Sequence, residues 1–289
     1  MNLSHIVAAA DESAAGHQTV RSAIDLAARA GARVTVMRAL PVPAMALAPG
    51  SLEAYGADGA EMESRSMLAM HEWVGSELRS RHPAPEVEFG FAYGVPGIEI
   101  GRFAERQGAD LVILGRKQRS QVVRLLLGDT ADSVARRSRI PCLFVPPGSE
   151  PLRRMVVALD GSERGLVVLR EAAAFAQKAG IGLRIVTVEA GAHDEPAGLA
   201  SALPAARSIR LKSRTHSLLA REAVRDALPE VEVRRGAIVE QVLEAVHASG
   251  SDVLAVGYHR GGLPGVLEAG STARHLAHTA PCAVLTIPL

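Results

Sequence analysis

Short apolar runs alternate with longer stretches in which apolar residues recur every three or four positions, and the alternation persists along the whole chain. Val34-Thr35-Val36-Met37, Leu111-Val112-Ile113-Leu114 and Leu143-Phe144-Val145 are continuous runs of strand length, as expected for strands buried on both faces. Val20, Ala23, Ile24 and Ala27 keep the i, i+3, i+4, i+7 spacing of one helix face, and Gly31 follows as a C-terminal stop. Met67, Met70, Val74 and Leu78 form a second stripe that ends before Pro83. Val168, Ala172, Phe175 and Ala179 form a third, leading to Gly180. Strands alternating with helices predict right-handed crossovers and a parallel sheet covered on both faces. Residues Pro41 to Gly59 and Ala190 to Pro204, rich in Ala, Gly and Pro, read as surface loops.

The pattern occurs twice. Ile6-Val7-Ala8-Ala9-Ala10-Asp11-Glu12-Ser13 returns as Val156-Val157-Ala158-Leu159-Asp160-Gly161-Ser162, and Pro85-Glu86-Val87-Glu88 as Pro229-Glu230-Val231-Glu232. Ala109-Asp110-Leu111-Val112-Ile113-Leu114-Gly115 returns as Ser251-Asp252-Val253-Leu254-Ala255-Val256-Gly257, Gly128-Asp129-Thr130-Ala131 as Gly270-Ser271-Thr272-Ala273, and Pro141-Cys142 as Pro281-Cys282. The order is kept throughout, so the chain divides into two homologous domains, 1–148 and 152–289, joined through a Pro- and Gly-rich stretch. The fold class is α/β: two tandem Rossmann-like open parallel sheets of about five strands, helices on both faces, with ligands at the carboxyl edge near the switch in strand order. The last strands, Leu143 to Val145 and Ala283 to Ile287, are too apolar for exposed edges, and the two domains are expected to pair through them, antiparallel. Cys142 and Cys282 would then stand at opposite ends of the pairing. A further homodimer is left open.

Composition narrows the function classes. Lys and Arg number 32 against 31 Asp and Glu, so no global field points to nucleic acid or an anionic membrane. Aromatic residues are 3% of the chain, which leaves few rings on which a base could stack. The start, from Met1 to Asp11, lacks a basic leader region and reads as a first strand; no run approaches the ~18 apolar residues of a membrane helix. Two cysteines have no metal-ligand spacing, and a soluble cytoplasmic protein is expected.

Three features at strand ends could carry chemistry. Asp11 and Asp160 end the first strand of each half, where a carboxylate could accept from a ribose hydroxyl or simply serve helix capping. Gly115 and Gly257 end the fourth strand, where a missing side chain would admit a ligand or make a tight turn. Gly270-Ser271-Thr272 opens a helix whose free N–H groups could bind an anion, and Gly128 holds the matching place in the first half. The basic group Arg116, Lys117, Arg119 and Arg124 reads as a solvated loop. His275 and His278 lack the spacing of a zinc protease motif, His216 falls on a helical stripe, and His259 sits in the candidate loop. No metal site and no nucleophile–base pair can be read.

At these residues the chain resembles the universal stress proteins, of the HUP-type Rossmann-like group, over nearly the whole of both halves. Members that bind ATP carry an Asp at the end of strand one, an exit from strand three like Gly94-Val95-Pro96-Gly97-Ile98-Glu99-Ile100, and a Gly-x2-Gly-x9-Gly-Ser/Thr loop after strand four. The first half departs from that loop with Gln118 at the second glycine and Asp129 after Gly128. A carboxylate there would bond the free N–H groups itself and repel phosphate, so the first site is expected to be lost. In the second half Arg260 replaces the second glycine, while Gly270-Ser271 matches. The resemblance implies ATP with Mg, or a related adenine nucleotide, in the second domain only. Asp160 would meet the ribose and the Val188 backbone the adenine, with Gly257, Arg260, Gly270, Ser271 and Thr272 at the phosphates. It implies a stress-response regulator or sensor that is not an enzyme. The alternative is a stress protein without nucleotide that acts through protein–protein interaction; a slow ATPase or nucleotidyl-transferase stands third, since the His-x-x-His loop of related transferases is missing.

Overall fold

A computed structural model describes residues 1–40, 52–79, 81, 83–119, 124–126, 128–190, 213, 230–259 and 271–289. The first half runs β1 (His5–Ala9), α1 (Ala14–Ala30), β2 (Arg33–Leu40), α2 (Leu52–Arg79), β3 (Val87–Tyr93), α3 (Pro96–Arg106), β4 (Leu111–Gly115), a short antiparallel hairpin of β5 (Lys117–Arg119) and β6 (Arg124–Leu126), α4 (Asp129–Arg137) and β7 (Cys142–Val145). The second repeats it as β8 (Arg154–Leu159), α5 (Glu163–Ala179), β9 (Gly182–Ala190), β10 (Val231–Gly236), α6 (Ile238–Ser249), β11 (Val253–Tyr258), α7 (Ser271–Thr279) and β12 (Ala283–Pro288).

The helices end where the apolar stripes do. Gly31 and Gly180 cap α1 and α5 at φ 66° and 63°, a left-handed conformation that glycine adopts without penalty. Two expectations are corrected. Residues 52–59, expected as loop, are helical: α2 is held by Met70 and Val74, both buried, and each further residue adds a hydrogen bond for little cost once a helix is nucleated. The β5–β6 hairpin occupies a stretch that carries no strand periodicity.

The two parallel sheets are not separate. They join edge to edge in one ten-stranded sheet, β10-β9-β8-β11-β12-β7-β4-β1-β2-β3. The junction is the expected antiparallel pairing of last strands, with Val284 opposite Phe144 and Thr286 opposite Cys142. Cys142 and Cys282 are thus well apart, and burial pushes both thiols up to about 12. Successive side chains on each strand point to opposite faces. Ile6 and Ala8 therefore join one core, with α1, α2 and α5, while Val7 joins another, with α3, α4, α6 and α7. Each core draws residues from both halves. The connecting stretch is tied down as well: Gln18 donates to the Ser149 carbonyl at 3.1 Å, and Arg29 to those of Leu152 and Ala179 at 2.8 and 2.9 Å.

Candidate functional site

In the second half the chain leaves β8 toward β9 and β10 and returns to its other side as β11 and β12. The carboxyl ends of β8 and β11 therefore diverge into two connections, and a crevice opens there. It is a cavity of about 500 Å³. Its floor is aliphatic, with Val186, Val188, Val242, Val256 and Leu276; Asp160, Ser162, Arg164, His259 and Thr272 supply polar groups. The sequence-predicted Asp160, Val188, Gly257 and Thr272 come together in its lining. Arg260 and Gly270 lie outside the described residues, as does His216, and Ser271 opens α7.

Asp160 serves the start of α5 and also faces the cavity. Its Oδ1 accepts from the Ser162 amide at 2.9 Å, while Ser162, the N-cap of α5, accepts from the Gly165 amide at 3.1 Å. Its Oδ2 has no hydrogen-bond partner among the described residues, and the carboxylate stands exposed at the cavity. Val188 lies one residue beyond the last β8 partner, Thr187, so its backbone on that side meets the cavity instead of a strand. At Gly257, also in the lining, a Cβ would stand 2.7 Å from both Val168 and Leu289, so the missing side chain lets α5 and Leu289 pack close there.

Arg164 is the functional candidate that sequence reasoning missed. It follows Ser162 in the first turn of α5, lines the cavity and has no ion-pair partner among the described residues. A lone arginine in a helix's first turn reads as a solvated face, and only the neighbouring cavity gives it meaning.

At the corresponding place in the first half some side chains are larger and others, such as Ala39 for Val188 and Val134 for Leu276, are smaller. Register and caps align Val186 with Met37, Val242 with Ile100 and Val256 with Leu114, and each of these replacements is larger and buried. Gly115 is packed on α1, where a Cβ would meet the Ala15 carbonyl oxygen at 2.8 Å. Asp11 accepts from both the amide and hydroxyl of Ser13. Asp129 is corrected in part: it is the first residue of α4, after the N-cap Gly128, but it is exposed and makes no side-chain hydrogen bond among the described residues. Its charge at the helix start remains.

Arg116 overturns the solvated-loop expectation. It is wholly buried and crosses to the second half, where Nη1 donates to the carbonyls of Ala280 (2.8 Å) and Cys282 (2.9 Å) and Nη2 to that of His278 (3.1 Å). Burial lowers its pKa to about 10, which leaves it charged at neutral pH. Beside it, Arg274 of α7 forks onto Asp132 of α4 at 3.1 and 3.2 Å.

The universal stress protein family model matches residues 2–146 and again 151–288. The chain belongs to the universal stress protein family, as a tandem of two such domains. A curated universal stress protein of Methanocaldococcus jannaschii is 40% identical over 52 residues, 18% of this chain and 31% of its own length. The match thus spans about a third of that relative. A universal stress protein from Archaeoglobus fulgidus superposes with TM-score 0.76 at 16% identity, covering 100% of this chain and 99% of its own. One from Pseudomonas aeruginosa, described as putative, gives 0.67 at 14%, covering 99% and 93%. At these identities the likeness concerns the fold. Among the described residues no three His, Cys, Asp or Glu side chains group to hold a metal, and no helix is long and apolar enough to cross a membrane.

Proposed function

We propose that this universal stress protein is a non-enzymatic, cytoplasmic regulator that binds ATP or a related adenine nucleotide through its second domain. The cavity at the β8–β11 switch carries the reading. Its size suits a nucleoside, its valine floor suits the flat apolar face of a base, and the open oxygen of Asp160 can accept from ribose hydroxyls. Magnesium would arrive on the phosphates and needs few protein ligands. Arg164, without an ion-pair partner among the described residues and at the cavity, supplies a charge-assisted contact for phosphate.

Calorimetric titration of the full chain with ATP and magnesium tests this. Asp160→Ala should weaken ATP and adenosine alike. Arg164→Ala should weaken ATP roughly tenfold, the worth of one hydrogen bond to a charged group, and leave adenosine unchanged. Absence of heat with either ligand, and of nucleotide released on heat denaturation, would sink the reading. Asp129 at the start of α4 favours a second reading, a stress protein acting through protein contacts alone, which that outcome would leave standing.

A further inference from the structure

The helix that walls the cavity is held from the other half of the chain. α7 has nine residues, Ser271 to Thr279, and is about 13 Å long. Thr272, Ala273 and Leu276 of its first turns line the cavity. The carbonyls at and just beyond its other end, of His278, Ala280 and Cys282, receive the Arg116 guanidinium. Carbonyls at a helix C-terminus lack intrahelical donors and carry the negative end of the dipole, so a buried cation is well placed there. Two more attachments come from the first half: Asp132 to Arg274, and β6, which lies alongside α7.

We infer that Arg116 is a positioning residue for the second domain's cavity, through which the first domain sets the placement of α7 and hence the affinity of the site. A buried guanidinium is costly unless its donors are satisfied; here its Nε has no partner among the described residues, while the Nη contacts go to the end of this helix and the turn that follows it. The arrangement is one-sided. The matching residue after Gly257 is Tyr258, so α4 receives no cation from that position in return. The first domain is thereby a resident clamp on the second.

The inference rests on the nucleotide reading, and its test separates the two. In the full chain, Arg116→Met and Arg116→Lys are titrated with ATP and magnesium, and amide hydrogen exchange is followed across residues 271–280 without ligand. Arg116→Met should weaken binding roughly tenfold, within the usual range of coupling between sites, and speed exchange across α7. Arg116→Lys, which keeps the charge, should recover most of both. A folded Arg116→Met chain with lowered melting temperature but unchanged affinity and unchanged α7 exchange overturns the inference while the nucleotide reading stands. If wild type binds no nucleotide, that reading falls, and the exchange data alone decide whether Arg116 holds the helix. Should Arg116→Met not fold, Arg274→Gln on the half-exposed rim replaces it, with a smaller loss expected in both measurements and unchanged values overturning the proposal.

Discussion

At the residue scale, what a position does depends on the atoms beside it more than on its residue type. Gly16 and Gly101 both lie in helices. A Cβ on Gly16 would overlap the Asp11 carbonyl oxygen, which is backbone and cannot rotate aside. One on Gly101 meets nothing within 4 Å. Gly16→Ala should therefore cost about 3 kcal/mol or more, as overpacking against fixed atoms does. Gly101→Ala should gain about 0.5–1 kcal/mol, because alanine loses less chain entropy in a helix. Denaturant midpoints of the two variants check this, and equal effects would show that α1 can shift away from β1. The same dependence on neighbours explains which site residues were legible. Asp160 and Thr272 stand at strand and helix ends that periodicity locates, so the sequence places them at the crevice. Arg164 and Arg116 look alike as basic residues near a turn. Their different fates follow from a cavity beside one and a helix end from the distant half beside the other, and no local pattern encodes either.

At the scale of elements, the two halves meet through α4 and α7, which are copies of one another. Aligning Gly128 with Gly270 puts Asp132 at the position of Arg274, so equivalent residues of opposite charge face each other across the junction. Two identical halves would bring like charges together there. Duplication within one chain allowed the positions to diverge and the junction to become specific for unlike halves. Asp132 also lies 3.3 Å from Arg136, so its carboxylate answers two guanidinium groups. Asp132→Arg should destabilise the chain by about 2 kcal/mol, since cations then face one another in a partly buried place. Adding Arg274→Asp should recover part of the loss, Arg136 remaining opposed. Melting temperatures of the single and double variants form the test; no recovery in the double variant would mean that packing, not charge, sets this contact. Sequence reasoning identified the pairing of last strands, because an apolar edge must be covered. It could not identify this charged pair, whose partners are 142 residues apart.

At the scale of the whole molecule, a continuous sheet and two cores that each span both halves should make the chain unfold as one unit rather than as two domains. Two histidines then report on acid stability for the entire chain. His5 is buried in β1, with Nδ1 donating to the Gln107 carbonyl at 3.2 Å and Nε2 accepting from the Thr35 hydroxyl at 2.8 Å. His278 lies at the junction; its Nε2 is 3.5 Å from Asp132 without a hydrogen bond, with Arg274 and Arg116 also near. Burial lowers the pKa of both, and for His278 this outweighs the attraction of Asp132. Both rings are therefore neutral in the fold but bind protons more readily in the unfolded chain, whose histidines titrate near about 6.5. The stability they allow is complete above that pH and declines as pH falls toward the lower folded values. Calorimetric scans between pH 7 and pH 5 should show a single transition moving to lower temperature, and His278→Gln should reduce the slope without abolishing it, His5 remaining. A transition that rises on acidification would mean that His278 is charged and paired with Asp132 in the fold. Two separate transitions would mean that the ten-stranded sheet parts at the β7–β12 junction before either half unfolds.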